Sequence, residues 1–79
     1  MFYYTYVLKS KTDGKLYTGW TLNLKRRINA HNRNLVRATR NRQPLELVYY
    51  EACQSKAKAI LREKQLKTGF GRAYLKRRL

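Results

Sequence analysis

The sequence predicts a small α+β domain, a three-stranded antiparallel sheet flanked by helices in the order β-β-α-β-α-α. Three observations predict it. Runs rich in aromatic and β-branched residues recur at 2–9, 15–20 and 45–51; an Asp-Gly pair separates the first two; apolar residues fall at helical spacing after residue 23 and again after residue 55.

The first run, "FYYTYVLK", is dominated by tyrosine, threonine and valine, which suit a pleated surface better than a helix, and "KLYTGW" repeats that character. Between them "SKTDGK" supplies Asp13-Gly14, where glycine accepts a positive φ without steric cost, so the two runs pair as a hairpin. Thr21 or Asn23 caps a helix whose apolar positions Leu24, Ile28 and Leu35 recur at helical spacing, with its end near His31 or Asn32. Residues 33–44, "RNLVRATRNRQP", have weak periodicity and read as a basic surface loop. After Pro44, "LELVYYE" is the third strand. "SKAKAILREKQLKTG" is a helix capped by Ser55 and closed at Gly69, and "GRAYLKRRL" is a short basic helix.

Seventy-nine residues make one domain, 1–79, and a chain of this size buries only roughly 60% of its unfolded surface in a single small core. With 43% hydrophobic and 13% aromatic residues, the composition is that of a folded chain. Nineteen Lys and Arg against four acids give +15, a charge that repels itself in the compact state unless a polyanion is the partner. DNA is the first expectation, with RNA as its alternative and a membrane surface behind them. No apolar run approaches the roughly 20 residues that span a bilayer, and "MFYYTYVL" lacks the basic start and cleavage site of a signal peptide. The expectation is therefore a soluble cytoplasmic protein with no membrane partner. Cys53 stands alone, which rules out a disulfide or a cysteine zinc site within one chain, and reads as a buried bystander.

Counting removes several chemistries. A two-metal nuclease site needs several carboxylates, whereas this chain has Asp13, Glu46, Glu51 and Glu63, of which Asp13 is claimed by the turn. One histidine makes no His-rich zinc site, and neither a phosphate-binding loop for a nucleotide cofactor nor an obvious nucleophile beside His31 is present. Any catalysis must run on tyrosines, arginine and at most one metal-bound carboxylate.

Glu63 is three residues from Ile60 and Leu66 and four from Ala59, which places it at the border of a core-facing helix side. The alternative is an ion pair with Lys67 one turn on, worth about 0.2–0.5 kcal/mol. Arg27 and His31 stand one turn apart beside Leu24 and Ile28, able to point into a groove between helix and sheet. Arginine suits phosphate there because its planar fork gives two parallel hydrogen bonds. The alternative makes Arg27 one of the solvated run "KRR" and His31 a residue favoured by the helix C-terminal dipole. Gly19, between a tyrosine and a tryptophan, marks a bulge or a close approach of another group beside Tyr17. Arg33, Arg37, Arg40 and Arg42 read as a sequence-independent phosphate track, since no helix with regularly spaced Asn or Gln accompanies them.

Taken together, Tyr6 in the first strand, "YTG" at Tyr17–Gly19, Arg27, His31 and a glutamate in the next helix resemble the GIY-YIG nuclease family. The segments "YTYVLKS", "LYTGWTLNLKRRINAHN", "RQPLELVYYEA" and "AKAILREKQLKTGFGRAYL" carry the resemblance over nearly the whole chain. It looks closest to small free-standing bacterial members similar to the N-terminal nuclease module of the excision-repair enzyme. Tyr4 replaces the glycine of the first motif, Thr18 the isoleucine of the second, Trp20 stands where some relatives have lysine, and no asparagine follows Glu63.

The resemblance implies metal-dependent hydrolysis of DNA phosphodiesters, with Glu63 ligating one Mg²⁺ or Mn²⁺. It implies that Tyr6 or Tyr17 takes a proton from the attacking water, a task for a phenol of reference pKa about 10 only where cations such as Lys15, Arg27 and the metal stabilise its anion. Arg27 clamps the scissile phosphate, and His31 orients Tyr17 or assists proton transfer. A non-catalytic basic nucleic-acid-binding module that keeps the fold is the alternative.

Overall fold

Alternate residues of a strand point to opposite faces, so a strand buried on both faces must lie in the middle of its sheet with a layer on each side. The first strand has that character: Thr5, Tyr6, Val7 and Leu8 are all buried. In the computed structural model, which describes residues 1–79, β1 (Tyr3–Ser10) is the central strand, with β2 (Leu16–Thr21) and β3 (Leu45–Cys53) antiparallel on either side in the order β2-β1-β3. Tyr6 sits opposite Gly19 of β2 and Tyr50 of β3, and a bulge interrupts the β1–β3 ladder between Val7 and Leu8.

Three helices complete the order β-β-α-β-α-α: α1 (Leu24–Asn32), α2 (Lys56–Leu66) and α3 (Gly69–Lys76). Helix α1 covers the Tyr6 and Leu8 face, where Leu24 and Ile28 pack with Tyr17, Leu45 and Leu47. Helices α2 and α3 cover the other face, where Val7 meets Leu66 and Leu75, and the Thr5 hydroxyl donates to the Ala59 carbonyl at 3.0 Å. The core is thus two small clusters separated by the sheet. No helix is long and apolar enough to cross a membrane.

The local signals explain most boundaries. Gly14 takes φ +73, and the Asp13 carboxylate accepts the Lys15 amide at 2.9 Å, so the turn does claim that acid. Asn23, rather than Thr21, caps α1 by accepting the Arg26 amide, and Ser55 caps α2 by accepting that of Lys58. Other boundaries differ from the expectation. Helix α2 ends at Leu66 and not at Gly69, because Thr68 donates to the Gln65 carbonyl and accepts the Gly71 amide, closing one helix while capping the next. Leu35 is 70% exposed and outside α1, since Asn34 turns the chain at φ +62. Cys53 is half-buried, its thiol donating to the Ser55 carbonyl. Within the basic loop, Arg37–Thr39 form one turn of 3-10 helix.

Candidate nuclease site

Tyr6, on the central strand, points at α1, and its ring crosses the neighbouring strand above Gly19. A Cβ at position 19 would lie 2.5 Å from the Tyr6 hydroxyl, so the glycine is required by the tyrosine packed over it. That hydroxyl meets two groups of α1, which present themselves together because they are four residues apart. His31 Nε2 is 2.9 Å away, and Arg27 Nε donates to the same oxygen at 3.2 Å. The other imidazole nitrogen, Nδ1, is 2.7 Å from the Thr39 hydroxyl, and His31 and Thr39 are both buried.

The result is a continuous chain, Arg27–Tyr6–His31–Thr39, joining the first strand, the first helix and the basic loop. Burial, and then the nearby Arg27 charge, push the His31 pKa down to about 4, so the imidazole is neutral at pH 7. A neutral ring donates from one nitrogen and accepts at the other, and a hydroxyl on each side satisfies it in either tautomer. No buried side-chain polar atom lacks a partner. Thr39 is the member that sequence reasoning missed; its one signal is that it is the only hydroxyl residue in the run 33–44.

Arg27 spends its Nε on the Tyr6 hydroxyl. The two Nη groups, a planar fork of four N–H donors, stay available at an exposed position. They face an open groove of about 1530 Å³ along the edge strand β2, which Tyr6, Tyr17, Arg27, His31 and Glu63 all line, together with Lys15 and Gly19. Tyr17 is half-buried there, whereas Tyr6 is only 2% exposed.

Glu63 reaches the groove from the layer on the other side of the sheet, since it belongs to α2. Its helix neighbours Ala59 and Leu66 are buried, and its own side chain is 18% exposed. It also forms the ion pair with Lys67 Nζ at 2.8 Å, so a border position and an intrahelical partner coexist. No three of the His, Cys, Asp and Glu side chains cluster as a metal cage. The groove's two carboxylates, Glu46 and Glu63, are paired with Lys11 and Lys67, and Glu63 by itself would fit only a hard, oxygen-seeking ion that keeps most of its water.

The loop arginines lie outside this constellation. Arg33, Arg37 and Arg40 are exposed, and Arg42 is bound to Asp13, Nε to Oδ2, at 3.3 Å. The loop is held to the hairpin by the Ser10 hydroxyl, which donates to the Arg42 carbonyl at 2.7 Å, and to α1 through Thr39.

This architecture is that of a nuclease-type domain. More narrowly, residues 2–77 match the GIY-YIG catalytic domain, and the chain belongs to that family. A UPF0213 protein of Clostridium perfringens is 49% identical over 65 residues, which cover 81% of this chain and 69% of that one. A UPF0213 protein of Staphylococcus haemolyticus is 43% identical over 67 residues, covering 84% and 80%. The solution NMR structure of a UPF0213 protein from Bacillus halodurans matches with a TM-score of 0.58 at 36% identity, over 95% of this chain and 82% of that one. These names state no reaction, so the activity must be argued from the groove.

Proposed function

We propose that the protein is a one-metal DNA endonuclease acting in the cytoplasm, with RNA as the alternative polymer. The observation that carries this reading is the Arg27 fork, tethered by its Nε to a buried phenol and left with two free Nη groups over a groove that Tyr17 and Glu63 also line. Arg27 takes two oxygens of the scissile phosphate and offsets the charge that grows on them in the transition state. Tyr6 and His31 hold Arg27 in place and do not reach substrate, because both are buried. Tyr17 is the tyrosine open to the groove, so its hydroxyl oxygen accepts a proton from the attacking water while passing its own to solvent. The water oxygen bonds phosphorus, the ester P–O bond breaks, and the leaving oxygen takes a proton from solvent. Glu63 would hold Mg²⁺ or Mn²⁺ in place of Lys67, and the ion would supply further positive charge to the phosphate.

The second reading, a binding module that keeps the fold, is favoured by one observation, the Glu63–Lys67 pair that already neutralises the carboxylate. The test is cleavage of plasmid, branched and single-stranded DNA with Mg²⁺ or Mn²⁺, beside the Glu63→Ala variant. A nuclease loses metal-dependent cutting in the variant while its DNA affinity stays equal or rises, because a negative charge has left a polyanion site. Failure of the wild type to cut any of these forms, or cutting by Glu63→Ala at the wild-type rate, would replace this reading with the binding module.

A further inference from the structure

Helix α1 covers its face of the sheet diagonally. It starts just after Thr21, at the end of β2 that pairs with Tyr4, and finishes where Asn32 exchanges two hydrogen bonds with Leu45, opposite Ser10. The corner of the sheet around Tyr50 and Ala52 is left bare, on the flank of α1 away from Arg27. Two aromatic rings fill it. Tyr4 and Tyr50 lie with centroids 6.1 Å apart at 59°, and Tyr50 is 53% exposed.

The charge around this corner has one sign. All four acids of the chain are held in ion pairs, with Lys11, Arg42, Arg62 and Lys67, and the remaining Lys and Arg have no carboxylate to answer them. Lys25 is exposed in the first turn of α1; seven residues before Asn32, it shares the flank that faces β3. Arg26, also exposed, follows it toward the Arg27 side. A nucleic-acid strand crossing the start of α1 therefore meets cations for its phosphates and, at the bare corner, ring faces for a base.

We propose that Tyr4 and Tyr50 form a stacking platform for an unpaired nucleobase, so that the preferred substrate carries a single-stranded stretch. The inference rests on the nucleic-acid reading above. It discriminates because bases in a duplex are already stacked on one another and present only their edges, whereas every unpaired base has a free π-face to lay on an aromatic ring.

The test measures binding, without metal, of a fluorescently labelled single DNA strand of mixed sequence and of the duplex made from it. Tyr50→Leu should weaken strand binding by roughly 5- to 150-fold, the loss for one base–aromatic stack, and leave duplex binding unchanged. Tyr50→Phe, which keeps the ring, should bind like wild type. The salt dependence of strand binding should keep its slope in Tyr50→Leu, because no phosphate contact has gone. Equal weakening for strand and duplex, or for neither, overturns the platform while leaving the nuclease reading standing. Wild-type protein that binds neither form overturns the nucleic-acid reading and the platform with it.

Discussion

Each face of the sheet carries a tyrosine and a helix-borne arginine, and the two faces use them to opposite ends. On the α2 and α3 side, Arg62 is matched to Glu51 through Nε at 3.0 Å and Nη2 at 2.9 Å, and the Tyr49 hydroxyl donates to the same carboxylate at 2.6 Å. The guanidinium groups of Arg62 and Arg78 lie 4.6 and 3.6 Å from the Tyr74 ring centroid. Burial by itself would raise the Glu51 pKa, but the hydrogen bonds from Arg62 and Tyr49 outweigh it and hold the carboxyl below its usual range. Burial and then Glu51 keep the Tyr49 phenol protonated. On the α1 side the phenol of Tyr6 and a neutral imidazole replace the carboxylate, so Arg27 is positioned without being neutralised. Whether an acid is present decides whether an arginine holds the fold together or stays available for a phosphate.

The largest expected effect breaks that comparison directly. Arg27→Gln should cut kcat/KM for cleavage by roughly 100- to 1,000-fold, the value of about 2.7–4 kcal/mol for one transition-state contact, with little change in stability. Arg62→Gln should do the reverse, costing about 1.5–3 kcal/mol in chemical denaturation, as for hydrogen bonds to a charged group, with kcat/KM unchanged. Two variants that lose stability alike and keep their rate would erase the distinction between the faces.

A second measurement sharpens it through pH. The folded His31 pKa of about 4 is below the unfolded value of about 6.5, so between those values the unfolded chain binds more protons. The associated stability is complete above about pH 6.5 and is lost as pH falls through 4, on the order of 3 kcal/mol in all. Asp13 and Glu51, also held low, act only further down the acid range. Denaturation midpoints should therefore drop between pH 6.5 and 4.5 in wild type, and His31→Gln should flatten that window. Thr39→Val, which keeps the shape but strands Nδ1, should cost about 1–3 kcal/mol at neutral pH, with Thr39→Ser restoring most of it.

How far the sequence carried these conclusions depends on the range of the interactions involved. The hairpin, the third strand and the caps at Asn23 and Ser55 follow from neighbours a few residues apart, and the element order was legible from them. Gly69 was misread because the dual use of the Thr68 hydroxyl, ending α2 and starting α3, depends on how two helices meet. Tyr6, Tyr17, Arg27, His31 and Glu63 were chosen by spacing and resemblance, and the structure lines one groove with all five, but which of them are buried was not legible. That Tyr6 is sealed under α1 while Tyr17 is open depends on strand order, which places Tyr6 on the central strand and Tyr17 on the edge. Thr39 was invisible because its partner is eight residues away across a loop with no period. The bare corner holding Tyr4 and Tyr50 exists only because α1 crosses the sheet on a diagonal.

The smallest effect applies the same rule within the basic loop, where sequence alone ranks four arginines equally. Arg37 and Arg40 are exposed and have no carboxylate partner, while Arg42 shares its charge with Asp13 and its carbonyl with Ser10. Each phosphate neutralised contributes about 0.9 to the slope of log affinity against log salt for duplex DNA. Arg37→Ala and Arg40→Ala should each lower that slope by about one such unit and weaken binding alike across sequences. Arg42→Ala should lower it by clearly less, because Arg42 is already engaged by Asp13 and has less of a phosphate contact to lose. Asp13→Asn, which releases Arg42 from its acid, should raise the slope. A slope that falls equally for all three arginines, and does not move in Asp13→Asn, would show that an ion pair in this loop does not withhold an arginine from phosphate.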